Sequence, residues 1–302
     1  MKRLRMLRSL LLAALPLLLF SACAAQPFVR SERRPDFIRV PGTPAPRTVV
    51  FIHGMFMTPL CWERFETRFQ AAGYRTLAPA WPEHEAAIEA QRQHHPDRRL
   101  AALTLGQVVD HYRKLLRDLP DPPILVGHSM GGLVVQLLLQ EGLGAAGVAI
   151  DSAPPKGLIS LRYSFLKSNW PAISPSASLE DPIVLSFADF QYAFVNGLPL
   201  EDQRAAFDRH VVPESRRVGK GPSTADATID FSRPRAPLLL ISGGEDHIIP
   251  PSLNRDNFKR YAKTPAITDL REFPGRTHWI IAQPGWEEVA DFALAWIREN
   301  QS

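Results

Sequence analysis

The chain has 302 residues, ordinary proportions of apolar and charged side chains, and a formal net charge of +4 at pH 7. That length can bury a full core as one large domain, or as one domain with an insert. Lys2, Arg3, Arg5 and Arg8 account for the whole excess, because residues 1–22 contain no acid. The remainder is balanced and offers no strong field to a phosphate backbone, so no nucleic-acid partner is expected.

The four charges precede an apolar stretch from Leu10 to Phe20 and then small residues. This is the layout of an export signal over residues 1–22. The stretch is shorter than the roughly 20 residues that a membrane span needs. Phe20-Ser21-Ala22-Cys23 resembles a bacterial lipobox, in which Cys23 becomes the lipidated first residue, although Phe20 stands where leucine is usual. Cleavage after Ala24 competes, since Ala22 and Ala24 satisfy the small-x-small rule. The expectation is an exported protein, either an outer-membrane lipoprotein attached through lipidated Cys23 or a free periplasmic or secreted form. Only Cys61 then remains, so neither a disulfide nor a cysteine-type zinc site is expected.

Beyond the signal the elements alternate. "RTVVFIHG" (47–54) is a β-branched apolar run ended by glycine, a buried strand. "TPLCWERFETRFQAAG" (58–73) places Trp62, Phe65 and Phe69 on one helical face, with Gly73 as its stop. Residues 74–81 form another strand candidate, and 82–104 read as polar and irregular. The pair His94-His95 lies in this charged, proline-bounded stretch and reads as solvated. Leu105, Val108, Val109, Tyr112, Leu115, Leu116 and Leu119 mark an amphipathic helix. A strand at 123–127, a helix at 131–141 and a strand at 147–151 follow. Strands alternating with helices imply an α/β fold, a mostly parallel central sheet with helices on both faces.

The alternation stops at "SAPPKG" (152–157). Residues 155–235 are rich in proline and aromatic side chains and show no clear strand; 189–199 is their most helix-like piece. The pattern resumes with "APLLLISGG" (236–244), a polar helix near 252–262, "AITDLREF" (266–273) and a closing helix. The expected organisation is a core of residues 36–154 and 236–300, interrupted by an insert at 155–235.

At the join of the strand at 123–127 and the helix at 131–141 stands Gly127-His128-Ser129-Met130-Gly131, the pattern G-x-S-x-G in the context it requires. A sharp strand-to-helix turn strains the serine backbone and projects its oxygen from the sheet edge. Glycine on either side avoids collision with the neighbouring elements. The helix N-terminus behind it offers free N–H groups where an oxyanion would form.

From here the chain resembles the α/β-hydrolase family, serine esterase and lipase type with a lid insert, over residues 36–300. "FIHGMF" (51–56) matches the family's His-Gly-x segment, "SGGEDHIIP" (242–250) its acid loop and "PGRTHW" (274–279) its histidine loop. The resemblance implies a catalytic triad of Ser129, Asp246 and His278, in the chain order of this fold, and an oxyanion hole from the N–H groups of Met55 and Met130. Such a triad suits acyl transfer. A serine hydroxyl needs a base during attack, histidine can accept and return the proton, and a buried carboxylate fixes the imidazole tautomer. Glu245 and Asp151 compete for the role of the acid. His53 and His128 adjoin the same site, and His247 reads as a rim residue.

The family resemblance also makes residues 155–235 a helical lid over the serine. Among its aromatics Tyr163, Phe165, Trp170, Phe187, Phe190, Tyr192 and Phe194, Phe190 and Phe194 are the chosen substrate-binding candidates. The function expected is cleavage of small-molecule carboxylic esters through an acyl-enzyme, with no metal and no cofactor. Lactone, amide or carbon–carbon hydrolysis, perhydrolysis, and a non-catalytic binding role on the same fold stay open.

Overall fold

A computed structural model describes residues 28–30 and 48–300. The export-signal and lipobox expectations on residues 1–23, and the start of the core at 36–47, lie outside the described residues.

The core opens with β1 (Thr48–Ile52), α1 (Glu63–Ala71) and the short β2 (Arg75–Leu77). Two short helices, α2 (Ile88–Gln93) and α3 (Arg98–Ala102), then lead into α4 (Leu105–Arg117). Next come β3 (Ile124–His128), α5 (Met130–Gln140) and β4 (Ala146–Ile150). Between β4 and β5 lie α6 (Tyr163–Ile173), α7 (Phe187–Ala193), α8 (Leu200–His210) and α9 (Arg216–Lys220). The core closes with β5 (Leu238–Gly243), α10 (Pro251–Arg260), β6 (Thr268–Phe273) and α11 (Trp286–Asn300).

The strands form one sheet in the order β2-β1-β3-β4-β5-β6, and every pair is parallel. Both faces of a parallel sheet are covered by its crossover helices, so its inner strands are apolar throughout rather than alternating. Accordingly β3, β4 and β5 are buried at every position. The helix α5 is buried along nearly its whole length for the same reason. The chain winds outward from β1 to β2 and then returns to β3 on the other side. This reversal opens a crevice at the carboxyl ends of β1 and β3, where ligands bind in open α/β sheets.

Two expectations in the first half need correction. The strand expected over 74–81 is paired only at Arg75–Leu77, and the stretch read as irregular contains α2 and α3. Helix α3 is nucleated by Asp97, whose carboxylate accepts the N–H groups of Arg99 and Leu100. Helix α4 matches its expectation and starts with a reciprocal capping box between Thr104 and Gln107.

Candidate active site

Ser129 sits between β3 and α5 with φ 57° and ψ −120°. Holding a non-glycine residue there costs about 1–3 kcal/mol, so its surroundings must over-determine it. They do. Its N–H donates to Ile150 C=O at 2.9 Å, and its own C=O accepts from Gly132 N–H at 3.0 Å and Ala153 N–H at 2.9 Å. The flanking glycines are required by packing. A Cβ on Gly127 would lie 2.2 Å from Gly131 O, and one on Gly131 would lie 2.1 Å from Ile52 O.

The turn after β1 presses against the serine, since a Cβ on Gly54 would meet Ser129 Cβ at 2.8 Å. Met55 from this turn and Met130 from the first residue of α5 line the same cavity as Ser129. Neither backbone N–H donates to another group among the described residues. Both are available to a developing negative charge.

His278, whose ring packs on that of His128 next to Ser129, donates Nδ1–H to Asp246 Oδ2 at 2.6 Å. The second oxygen, Oδ1, accepts the N–H groups of Ile248 at 2.7 Å and Ile249 at 2.9 Å. With its proton on Nδ1, the imidazole presents a basic Nε2, which is buried and has no hydrogen-bond partner among the described residues. Burial lowers the His278 pKa and keeps the ring neutral. Ser129 Oγ is not hydrogen-bonded to Nε2; such contacts are often long without substrate and tighten in the Michaelis complex. The ring is fixed from two sides, by Phe194 edge-on at 5.1 Å and by His128 at 4.6 Å. His128 Nε2–H also donates to His278 C=O at 2.8 Å.

The structure separates the competing acids. Glu245 is exposed. Asp151 is fully buried beside Asp246 and accepts the Gly243 N–H at 2.6 Å through Oδ1. Burial first, and then the Asp246 charge, push its pKa well up, which favours the protonated acid. Burial raises Asp246 too, while the Ile249 and Ile248 N–H groups and Asp151 oppose it. The pair carries one negative charge. That charge resides on Asp246, which has three N–H donors.

His128, Asp151 and His278 have ligand atoms within 4.8 Å of one another. All three lie together around the His278–Asp246 contact, and each is already oriented by a hydrogen bond to the protein. His247, read from the sequence as a rim residue, is half-buried, with Nδ1 2.8 Å from Tyr192 O.

A cavity of about 620 Å³ opens in front of Ser129. Phe165, Leu185, Phe194, Ile248 and Ile249 line it with apolar surface. Phe194 thus occupies the position chosen for it. Phe190 does not: it is fully buried behind Phe194, stacked on it at 4.9 Å and packed against Phe207 and Trp279. Its helical register turns it into the core. Tyr163 and Trp170 are exposed and also lie off the cavity wall.

One further cluster has no local signature in the chain. His84 and Glu214 are fully buried, with His84 Nε2 and Glu214 Oε2 3.3 Å apart. Each lies among other charged residues in a polar-looking segment, and 130 residues separate them, so no local pattern joins them.

Residues 49–292 match the profile of the Alpha/beta hydrolase family. The chain belongs to this family. A monoacylglycerol lipase of Mycolicibacterium smegmatis is 24% identical over 279 residues, covering 85% of this chain and 90% of that one. Among solved structures, a Paleococcus ferrophilus monoacylglycerol lipase superposes with a TM-score of 0.60 at 20% identity, over 85% of this chain and 96% of that one. Polyneuridine aldehyde esterase superposes with a TM-score of 0.61 at 18% identity, over 83% and 99% respectively.

Proposed function

We propose that the chain is a serine hydrolase that cleaves carboxylic esters with an apolar acyl group. The single observation that carries this reading is the 2.6 Å His278–Asp246 contact, which leaves a basic Nε2 on a ring packed against His128, the neighbour of a serine held at a strained elbow. In the first step Ser129 Oγ attacks the ester carbonyl as its proton passes to His278 Nε2. The carbonyl oxygen becomes an oxyanion and accepts hydrogen bonds from the N–H groups of Met55 and Met130. Collapse breaks the bond to the alkoxy group, which leaves with the proton from His278. Water then enters and gives its proton to the same nitrogen. The acyl group leaves as a carboxylic acid, and Ser129 regains its hydrogen. Asp246 holds the tautomer and stabilises the imidazolium at both stages.

The apolar cavity supports the acyl preference, as does the exposed apolar surface at the start of the segment between β4 and β5. Ile159 lines the cavity and is 72% exposed, and Leu161, Tyr163 and Trp170 lie exposed nearby in the chain. Exposed apolar surface of this kind favours ligands that leave water readily. Residues 155–235 act in this reading as the lid that shapes the pocket. The related lipases and the esterase named above act on esters by their names, which agrees with it. Together with the N-terminal signal pattern, it makes the protein an exported esterase, held at the outer membrane where Cys23 is lipidated.

The test is a rate profile over p-nitrophenyl esters of increasing acyl length, run beside Ser129→Ala. An optimum at an intermediate or long chain, lost in the alanine variant, supports the proposal. Activity that survives Ser129→Ala would remove it.

A further inference from the structure

The peptide units on either side of Met55 are held by groups from three separate parts of the chain. His53 Nε2 accepts the Trp81 N–H at 3.2 Å, which puts the ring proton on Nδ1. Nδ1–H then donates to Gly54 C=O at 2.9 Å. A trans peptide is planar with its C=O and N–H opposed, so fixing Gly54 C=O also fixes the direction of Met55 N–H. The next peptide is held by the segment between β4 and β5. Phe56 N–H donates to Glu214 Oε2 at 3.3 Å, and the peptide after that one is held by Val212 N–H, which donates to Phe56 C=O at 3.0 Å. Phe56 itself has φ 64°, a region that a bulky side chain occupies only under constraint.

Glu214 is placed for this task. Its backbone pairs in both directions with Ile183, at 2.7 and 2.9 Å, and its Oε1 accepts the Ser215 N–H at 2.6 Å. The remaining oxygen faces Phe56 N–H and His84. A carboxylate with no exposed surface needs a countercharge, and His84 is the cation within reach. Burial alone would lower the His84 pKa, but the Glu214 charge 3.3 Å away outweighs it, and the net direction is up. His53, stacked on Trp81 at 4.7 Å, stays neutral because burial and then the His84 charge lower its pKa.

We propose that Glu214, with His84 as its counterion, is a positioning residue that holds the Met55 N–H in the oxyanion hole, so that the segment above the pocket also sets the catalytic machinery beneath it. The inference rests on the ester-hydrolase reading of the site. Its consequence is specific: loosening the Phe56 peptide weakens binding of the oxyanion more than binding of the ground-state ester.

The experiment measures kcat and KM on a p-nitrophenyl ester, and the affinity for an alkylboronic acid that forms a tetrahedral adduct with serine. Wild type, Glu214→Gln and His84→Gln are compared after thermal melting has shown which are folded. Glu214→Gln should lower kcat about ten- to hundred-fold, less than the loss of a whole oxyanion donor, with KM changed less than about threefold. Boronate affinity should fall in parallel with kcat. If Glu214→Gln does not fold, His84→Gln is read in the same way, since it keeps the Phe56 contact but removes the charge that fixes the carboxylate. A folded variant with wild-type kcat and boronate affinity would overturn the positioning role while wild-type turnover leaves the hydrolase reading in place. A wild type that neither turns over esters nor binds the boronate removes both.

Discussion

Asp151 and Asp246 are adjacent buried carboxyls at the ends of neighbouring strands, yet only Asp246 contacts the histidine. Asp246 Oδ2 accepts His278 Nδ1–H at 2.6 Å, while Asp151 Oδ1 accepts a backbone N–H from Gly243. Two such groups cannot both ionise cheaply in a dry interior. The one with three N–H donors keeps the charge.

This division predicts opposite sensitivities. Asp246→Asn should preserve the packing but favour the wrong imidazole tautomer, a change that costs about 10⁴ in kcat in a serine-protease triad. Asp151→Asn replaces a protonated acid with a neutral isostere and should cost less than about tenfold. Steady-state kinetics on the two folded variants decides the point. The reverse order would move the acid to Asp151.

The wall of the cavity yields a second contrast. Phe165→Ala and Phe194→Ala should shift the preferred acyl length, because both side chains line the cavity. Phe190→Ala should chiefly destabilise the fold, by about 3–5 kcal/mol for a buried phenylalanine. Ester profiles and denaturant melts of the three variants check this. An altered preference in Phe190→Ala alone would show that the cavity is walled differently.

Stability should fall on the acid side of neutrality. Burial lowers the pKa of His53, His128, His210 and His278 in the fold, whereas in the unfolded chain each titrates near 6.5. Below about pH 6.5 the unfolded state therefore binds more protons, and stability declines as pH falls towards the folded values. The Asp151–Asp246 pair opposes this by its single retained proton. His84, with a raised pKa, is protonated in both states below 6.5 and changes nothing in that window. Thermal melts between pH 5 and about 6.5 should show Tm rising with pH. A flat or inverted profile would mean that these imidazoles are not held neutral.

The envelope proposal has its own check, by intact mass of the protein purified from its native membrane or medium. A chain beginning at Cys23 with added lipid mass supports the anchor. A chain beginning at Ala25 without lipid leaves a soluble exported enzyme.

Much of this site was legible because its chemistry lies at the ends of strands. Ser129 and Asp246 follow runs of apolar residues, His278 follows a strand with the turn Pro274-Gly275 between, and all three stand near glycine turns, so a local pattern marks them. The sheet was legible for a related reason: strands buried on both faces read as unbroken apolar runs. Helices α2, α3 and α9 escaped because five or six residues are too few to show a helical period. Helix α6 carries Pro171 near its end, and a proline inside a helix interrupts its signature in the chain. The separation of Phe190 from Phe194 depends on helix rotation against the core, which composition does not reveal. His84 and Glu214 are the clearest case. Each looks like a surface residue until the tertiary fold brings them together.

The most direct measurement is covalent. The full-length protein is treated with a fluorophosphonate and the modified peptide is mapped by mass spectrometry, with Ser129→Ala as control. The expected result is one adduct per chain at Ser129, formed in step with loss of ester turnover and absent from the alanine variant. A folded, ester-cleaving enzyme that takes no label at Ser129, or is labelled elsewhere as turnover is lost, would contradict the serine mechanism.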